Sequence, residues 1–501
     1  MIKKVLCLII LLATTIPFYR NHLYFLNFVD EDDNLVIGSF VAQGHKLYSD
    51  VFTQHPPLPF ILSGSIQQVA HPESIRDVVK ISRGFMIFWS AIWICLLLAS
   101  FGWKGLLVAA FFELNKISLL GNLYLAESLV SYPAMYLTSY LLSHDQYQLD
   151  LQFWFAAILV IFITLSLAPL WPLMLFIVAW IVLHATQPKK ALAIFSFLSA
   201  IAGIVCWPFL NFSSFWTDVI VINSQYYIPL TTGISAFTSV FKAFFAPVYA
   251  LLSSPSSQLL LVIQAASLAL IFIVLTSLAR KKYLSAALAV LILGLSSLRY
   301  INPGNTLYGA FHMQPWFGIL LVVVIYKLGD LYQCSKFFKS VAVIFILSIF
   351  VFSLSNAKAN LWDHRNSEAD YVTHYTKSEQ VRQAVSILSR GSTQTVWVEP
   401  VMYWPYWHTG AEPYSFMINY YAWMDRTPPL RERLTVSLDR ELPTLVYLDS
   451  LPSLSLGAYL DQYVPILHDN HNFGLYLRAD QVAKISDPQS KDLQASRFSI
   501  P

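Results

Sequence analysis

The sequence predicts an α-helical polytopic membrane protein with about eleven transmembrane helices and a small C-terminal α/β domain. Of its 501 residues, 56% are hydrophobic and only 12% are charged, with a mean hydropathy of +0.55. This is far too apolar for a soluble globular protein. Apolar runs of roughly 17–22 residues recur up to about residue 355, and each can cross a hydrocarbon core about 30 Å thick. After residue 356 the charged residues return and the long apolar runs end.

The first predicted span covers about residues 5–26 and follows Lys3 and Lys4. We interpret it as an uncleaved anchor rather than a signal peptide, because no small-residue cleavage site follows it. The stretch 236–254 is apolar but contains Pro247, and we interpret it as interfacial or re-entrant. The other predicted spans lie near residues 80–100, 105–121, 127–143, 152–168, 170–184, 191–210, 257–279, 283–298, 311–328 and 340–355.

Lysine and arginine residues gather in the connections on one side of these spans, which the positive-inside rule predicts to be cytoplasmic. The opposite side receives the first loop, residues 27–76, and everything after residue 356. We therefore predict a transmembrane domain at 1–355 and an extracytoplasmic soluble α/β domain at 356–501, in a bacterial inner or plasma membrane. The cations predicted to be cytoplasmic are Lys3, Lys4, Lys104, Lys189, Lys190, Arg280 to Lys282, Lys336 and Lys339.

The C-terminal domain has a helical period over Ser378 to Leu388. Its strands are predicted from short β-branched or aromatic runs between turn residues. These runs are Thr395 to Val398, Thr444 to Leu448 and Phe473 to Leu477. Net charge +3 with no basic cluster argues against nucleic acid as a partner. The four cysteines are scattered, which predicts neither disulfides nor a cysteine metal site.

The first loop concentrates charge in a way that the rest of the chain does not. Between Asp30 and Leu58 it contains five acidic residues, two histidines and two prolines. Charge so close to the hydrocarbon boundary is costly, so we interpret this loop as functional. We predict an interfacial helix over Asp33 to Gln43, ended by Gly44, and a second helix at about 57–70, opened by Pro56 and Pro57.

The order of residues in this loop resembles that of the GT-C glycosyltransferases, in particular the family 39-like branch of protein O-mannosyltransferases and lipid A aminoarabinose transferases. Two later positions, Glu127 at a span start and Phe311-His312 with Pro315, also resemble that branch. The first-loop residues that match are Asp30-Glu31, Gly44, Leu47-Tyr48, Asp50 and Pro56-Pro57-Leu58. The resemblance implies a GT-C-like transmembrane catalytic domain that transfers a sugar from a polyprenyl-phosphate donor. The acceptor would be a lipid, glycan or protein on the outer side of the membrane.

The same resemblance implies catalytic roles for Asp30, Glu31 and Glu127. Asp30 would be the general base that accepts a proton from the acceptor hydroxyl. The structural alternative is that Asp30 or Asp33 only caps the interfacial helix. Glu127 could bind a metal, orient the acceptor or balance an arginine. No cofactor is predicted with certainty, and a divalent metal ion is left open.

Substrate-binding roles are implied for five other residues. Tyr48 and Asp50 belong to the first-loop motif, and His55 stands beside its prolines. Arg299 and His312 are the outer-side groups best suited to a lipid phosphate, whose negative charge develops as it leaves. The alternative for the arginine is an interaction with lipid headgroups.

The C-terminal domain also has an aromatic cluster, which could bind sugar rings or form the domain core together with membrane-interface contacts. Two other functional classes compete with sugar transfer from a lipid phosphate. One is a non-catalytic polysaccharide or lipid transporter or an envelope-assembly scaffold, which predicts charges deep within the spans. The other is an oligosaccharide ligase or polymerase. The aromatic cluster contains Trp397, Tyr403, Trp404, Tyr406, Trp407 and His408, with Glu399 among them.

Overall fold

The computed structural model describes residues 2–24, 26–232, 244–296, 310–362, 364–449 and 454–501. Contacts along the chain divide it into two compact units, each built from three segments. The helical unit consists of residues 1–25, 80–206 and 235–367, and the mixed unit of residues 26–79, 207–234 and 368–501. The first loop and the C-terminal region therefore share one unit. The predicted division at residue 355, which is drawn by membrane side, stays a prediction.

The protein is an integral membrane protein by the length and apolarity of its helices. Within the described ranges, five helices are long and apolar enough to cross a membrane, and four shorter apolar helices accompany them. The five are Ile75–Asn115, Pro188–Phe209, Gln258–Ala279, Phe311–Tyr332 and Lys336–Ala359. The shorter four are Leu6–Arg20, Leu151–Ser166, Ala168–Leu183 and Tyr283–Leu295. The predicted total of about eleven spans stays a prediction.

The long helix Ile75–Asn115 contains two of the predicted spans, 80–100 and 105–121. It is interrupted at Gly102, whose φ of 61° and ψ of −134° are not helical. A Cβ on Gly105 would lie 2.2 Å from the carbonyl oxygen of Leu97, so glycine permits the close approach of the chain after the interruption. The second part ends earlier than predicted, because a 3-10 turn at Ile117–Leu119 follows it.

Two helices form the centre of the helical unit: Ala126–Ser143 and Gln314–Tyr332. Both are buried along almost their whole length, including polar residues at their N-terminal ends. They approach closely at Gly318, where a Cβ would lie 2.8 Å from Cγ of Met135. The charged side chain of Glu127, in the first turn of Ala126–Ser143, is therefore held inside the protein.

At the C-terminal end of helix Gln314–Tyr332, side-chain contacts connect three of the loops that are predicted to be cytoplasmic. Nζ of Lys104 lies 3.6 Å from Oδ1 of Asp330, and Nη1 of Arg280 lies 2.9 Å from Sγ of Cys334. These connections share one end of the unit, as the charge distribution predicts. Which membrane side this end faces stays a prediction.

The mixed unit contains a sheet of six strands, which are β1 Thr395–Glu399, β2 Glu412–Pro413, β3 Leu445–Leu448, β4 Tyr463–His468, β5 His471–Arg478 and β6 Phe498–Ser499. The strand order is β2-β1-β3-β5-β4-β6. β1 runs parallel to β2 and β3, whereas the other neighbours are antiparallel. β1, β3 and β5 correspond to the three predicted strands.

Helices complete both units. The predicted helix at 378–388 is the end of a longer helix, His364–Leu388. The remaining helices are Ile2–Asn21, Val29–Ala42, Leu58–Ala70, Trp171–Leu183, Pro188–Cys206, Phe212–Phe215, Ile228–Thr232, Ala246–Leu252, Lys336–Trp362, Ala422–Asp425, Pro428–Arg440, Leu454–Gly457, Ala479–Val482 and Asp487–Ala495, with π-helical turns at Trp216–Val221 and Asn223–Tyr227.

The first loop folds into two helices that cross at a pair of glycines. A Cβ on Gly38 would lie 2.4 Å from Oγ of Ser63, and one on Gly64 would lie 2.7 Å from the carbonyl oxygen of Gly38. Nε2 of Gln67 donates to the carbonyl of Leu35 at 2.7 Å, which links the same helices again. Backbones this close leave no room for side chains at either glycine.

Gly38→Val should therefore separate the two helices and lower the free energy of unfolding by about 1–3 kcal/mol, the usual cost of overpacking. Thermal denaturation of the purified protein would measure the loss. Gly203→Val is the matched control, because an added Cβ at Gly203 meets no atom within 4 Å. Equal effects of both substitutions would contradict the crossing.

Candidate active site

The acidic residues of the first loop lie inside the first turn of helix Val29–Ala42. The helix begins after its cap residue Phe28, which has an extended backbone and makes no side-chain capping hydrogen bond. Asp30 and Asp33 therefore lie inside the helix and not at its N-cap position. The helix starts earlier than the predicted Asp33, because Asp30, Glu31 and Asp32 are stabilised by the positive end of the helix dipole.

The four consecutive acids have different environments. Glu31 and Asp32 are buried, whereas Asp30 and Asp33 are half-buried. Oδ1 of Asp32 accepts a hydrogen bond from the hydroxyl of Tyr375 at 2.9 Å. Desolvation, then the charges of Asp30 and Asp32, raises the pKa of Asp33 well above its ordinary value. The cluster therefore favours a proton on Asp33.

A tyrosine pair from the C-terminal region faces the same acids. The hydroxyls of Tyr403 and Tyr421 are 2.8 Å apart. Burial raises the pKa of Tyr403, and the nearby carboxylates of Asp33 and Asp30 add to this effect. Tyr403 therefore keeps its hydroxyl proton and can donate a hydrogen bond beside the acids of the first loop.

Tyr48, Asp50 and His55 shape the first loop in the structure. Tyr48 has a positive φ of 74°, is buried, and donates from its hydroxyl to the carbonyl of His55 at 2.8 Å. Asp50 is exposed and accepts from the backbone N–H of Lys46 at 2.8 Å. These contacts fix the loop conformation, and the predicted role of the three residues in substrate binding stays a prediction.

Backbone hydrogen bonds connect the first-loop motif to the segment that follows helix Pro188–Cys206. The N–H of Leu47 donates to the carbonyl of Phe209 at 2.9 Å, and the N–H of Asn211 donates to Leu47 at 3.1 Å. The ring of Tyr48 meets that of Phe215 edge-on, with centroids 5.3 Å apart. Leu47 and Tyr48 thus hold two segments of the mixed unit together.

The aromatic cluster of the C-terminal domain is mostly core. Trp397, Trp404, Tyr406 and Trp407 are each at most 2% exposed. Nε1 of Trp407 donates to Oε1 of Gln67 at 3.0 Å, so the cluster packs on the second helix of the first loop. These side chains therefore form part of the domain core, because aromatic rings buried this deeply are not accessible to a sugar.

The structure brings Glu127 and His312 together, although they are far apart in sequence. Oε1 of Glu127 lies 2.9 Å from Nδ1 of His312, and the two side chains are 4% and 15% exposed. The nearby Gln314 is fully buried and donates from Nε2 to the carbonyl of Leu119 at 2.7 Å. A carboxylate–imidazole pair results at the start of the two central helices. Arg299 lies outside the described residues.

Sequence reasoning missed a second buried ion pair in the helical unit. Nζ of Lys116 lies 3.5 Å from Oε1 of Glu113, and both side chains are at most 3% exposed. Ser90 and Tyr132 are hydrogen-bonded to this pair, and the Lys116 ammonium stands 4.7 Å from the ring of Tyr19. The signal was present, since a glutamate and a lysine three residues apart within a predicted span are rare.

Within the described parts of the chain, no three or more histidine, cysteine, aspartate or glutamate side chains form a group that could hold a metal ion. Whether the reaction needs a divalent metal stays open.

Sequence reasoning also missed Asp218, which is fully buried in the π-helical turn Trp216–Val221. Neither of its carboxylate oxygens has a hydrogen-bond partner among the described residues. Nη1 of Arg433 is 3.9 Å away and its guanidinium stacks 5.0 Å from the ring of Phe416. Burial raises the pKa of Asp218 to about 7, and the charge of Arg433 limits the rise.

A carboxyl group whose pKa rises on folding makes the folded state less stable once it ionises. The contribution of Asp218 to the free energy of unfolding should therefore be most favourable below pH 4 and should decline as the pH rises towards about 7. Asp218→Asn should remove this decline, which is on the order of 4 kcal/mol at most for a carboxyl pKa that rises from its ordinary value to about 7. Melting temperatures of both proteins from pH 5 to 8 would measure the difference.

The control for this experiment is Asp480→Asn. Its hydrogen bond with Arg478 lowers the pKa of Asp480, so its small contribution is present above the unfolded value and is lost in acid. From pH 5 to 8 the effect of Asp480→Asn on the melting temperature should therefore stay constant, whereas the effect of Asp218→Asn should grow as the pH rises towards about 7. Parallel profiles would contradict the burial of an ionisable Asp218.

Comparisons with known proteins give one finding on structure and none on sequence. No family model matches the chain, and no curated protein matches it. The structure is similar to the crystal structure of ArnT from Cupriavidus metallidurans bound to undecaprenyl phosphate, with 11% sequence identity and a TM-score of 0.47. The likeness covers 94% of this chain and 97% of that one.

Proposed function

We propose that this chain is a membrane glycosyltransferase that moves a sugar from a polyprenyl-phosphate donor to an acceptor on the outer side of the membrane. The observation that carries the proposal is the acid cluster at the start of helix Val29–Ala42. Four acids occupy one helix start, where two are buried and two are half-buried, and tyrosines face them. Burying several carboxyl groups together is costly, and groups in such surroundings gather at functional sites.

Asp30 is the member of the cluster best suited to act as the base. Glu31 is enclosed and Asp32 is held by Tyr375, so neither is open to an acceptor. Asp33 is favoured in its protonated form. We assign a supporting role to Glu31, which is buried and follows Asp30 in the sequence.

In the proposed reaction, the acceptor hydroxyl gives its proton to Asp30 while its oxygen attacks the anomeric carbon of the donor sugar. The bond from that carbon to the phosphate oxygen breaks, and the polyprenyl phosphate leaves with the bonding electrons. One displacement from the face opposite the phosphate inverts the anomeric carbon. Proton acceptance by a positioned base typically contributes about 10²–10⁴-fold to the rate.

The leaving phosphate needs positive or hydrogen-bond-donating groups. We assign this task to His312, whose ring is held by Glu127, and to Arg299. The donor lipid and membrane lipids are the partners that follow from this proposal, together with a lipid, glycan or protein acceptor.

A transporter of lipids or polysaccharides is the second candidate. The observation that favours it is buried charge in and beside helix Ile75–Asn115, where Arg83, Glu113 and Lys116 are each at most 3% exposed. Such charges inside a bundle can mark a polar path. The pairing of Lys116 with Glu113 and Ser90 argues for a closed structural contact instead.

The test is transfer from a panel of radiolabelled polyprenyl-phosphate sugars in membranes with and without the protein. We expect label to move from at least one donor into a lipid, glycan or protein fraction only when the protein is present. Translocation of the labelled lipid without transfer would instead support the second candidate.

A further inference from the structure

We propose that Glu127 is a positioning residue, which acts through His312 by holding its imidazole ring for the phosphate of the lipid. The proposal rests on the proposed function in one respect, the nature of the ligand. It assigns Glu127 a role distinct from binding a metal or touching the acceptor. Its basis is the 2.9 Å contact between Oε1 of Glu127 and Nδ1 of His312.

The frame around this pair is rigid and polar. Ser131, one turn after Glu127, donates from its hydroxyl to the Glu127 carbonyl at 2.6 Å. Gln314, two residues after His312, donates to the hydroxyl of Ser128 at 3.2 Å and to the carbonyl of Leu119. The 3-10 turn Phe311–Met313 and the residue that follows it, Gln314, thus contact the start of helix Ala126–Ser143 at two points. One is the Glu127–His312 contact and the other is the hydrogen bond from Gln314 to Ser128.

Charge and hydrogen bonding decide what the contact does. In its ionised form Glu127 only accepts hydrogen bonds, and the ring then donates to it from Nδ1. This contact orients the ring, and the proposal assigns the other nitrogen, Nε2, to the phosphate. A ring that donates from both nitrogens carries a positive charge, which suits a phosphate oxygen. Carboxylates that hold a histidine in this way set its orientation and protonation.

Burial argues that Glu127 works through the ring rather than on the ligand directly. The Glu127 side chain is 4% exposed, whereas that of His312 is 15% exposed. The histidine is the outer member of the pair. A ligand that reaches the pair from solvent or lipid therefore meets the imidazole first.

The binding arm of the test uses undecaprenyl phosphate and purified protein in nanodiscs. Glu127→Gln and His312→Gln should each weaken binding about 10- to 100-fold, the range expected for a charge-assisted hydrogen bond. The double variant should bind no more weakly than His312→Gln alone, because Glu127 has nothing left to position. Glu127→Asp, which keeps the carboxylate, should restore part of the loss. Multiplied losses in the double variant would overturn the proposal.

Two matched controls accompany these variants. His184→Gln removes a ring whose Nδ1 contacts the carbonyl of Trp180 at 2.9 Å, and Asp330→Asn neutralises an exposed carboxylate beside Lys104. Neither should change binding of undecaprenyl phosphate. A loss as large as that of His312→Gln would show a general structural effect and overturn the specific role.

The second arm needs no ligand and separates this proposal from the proposed function. In ¹⁵N-histidine-labelled protein, the His312 signal is the one missing from His312→Gln. We expect a protonated Nδ1 in the wild type and loss of that proton in Glu127→Gln; an unchanged ring would overturn the positioning role. If this arm succeeds but the wild type does not bind undecaprenyl phosphate, the pairing stands, while the lipid-phosphate ligand and the proposed donor class both fail.

Discussion

Asp30→Asn should reduce sugar transfer about 10²–10⁴-fold while the protein remains folded and inserted in the membrane. Asparagine has nearly the same shape as aspartate, but its amide cannot accept the proton of an acceptor hydroxyl at neutral pH. The half-buried position of Asp30 in the first helical turn makes such a swap mild for folding. The measurement is the initial rate of label transfer from the active polyprenyl-phosphate sugar.

The matched control is Asp77→Asn, which changes another aspartate in the first turn of a helix in the mixed unit. Its carboxylate accepts from the hydroxyl of Ser74 at 2.7 Å, and we assign it no chemistry. Transfer by this variant should remain within a few-fold of the wild type. Near wild-type transfer by a folded Asp30→Asn would remove Asp30 from the role of base.

Trp407→Ala should have the largest effect on stability, with a loss of about 3–5 kcal/mol in the free energy of unfolding. Trp407 is fully buried and is the partner of Gln67 on the second first-loop helix. Truncation leaves a cavity and removes the hydrogen-bond donor of the Gln67 amide oxygen, which adds the cost of an unsatisfied buried acceptor. Transfer should fall as well, since the first-loop helices lose their support.

Trp216→Ala is the control for this variant, because Trp216 is in the same unit but 62% exposed. Thermal denaturation in one detergent would compare the two, and hydrogen exchange of residues 58–70 would locate the effect. A milder third variant, Trp407→Phe, keeps most of the packing and removes the hydrogen bond to Gln67. If Trp407→Ala and Trp216→Ala melt alike, the aromatic cluster is not the core of the mixed unit.

Much of the fold could be predicted from local patterns. Long apolar runs locate helices such as Gln258–Ala279 almost to the residue, because hydrophobic length is a direct signal. Pro56 and Pro57 correctly predict the start of Leu58–Ala70. The predicted strands also match β1, β3 and β5. The long helix over His364–Leu388 was only partly predicted, since its first half is polar.

Other elements could not be predicted in the same way. β4 contains Pro465 within its Tyr463–His468 run, which lowers the strand signal. The turn after it, Asp469-Asn470, has positive φ at both residues, which identifies a tight hairpin that the sequence analysis overlooked. The break at Gly102 depends on the close approach of Gly105 to Leu97, which no local pattern encodes.

The site depends on contacts between distant parts of the chain. The sequence points to Asp30, Glu127 and His312 separately, on the basis of resemblance. It cannot predict that Glu127 contacts His312 or that Tyr375 holds Asp32, because those contacts depend on tertiary packing. Asp218 escaped notice for the same reason, since its loop looks exposed by composition.

The central claim is that this chain transfers a sugar from a lipid phosphate, and the most direct measurement is the fate of the donor lipid. Purified protein would be given a polyprenyl-phosphate sugar with and without acceptor, and the released polyprenyl phosphate would be measured by mass spectrometry. We predict acceptor-dependent release, equal in amount to the sugar transferred, with the anomeric carbon inverted in the product. An intact donor in the presence of folded protein and each acceptor class would contradict the claim.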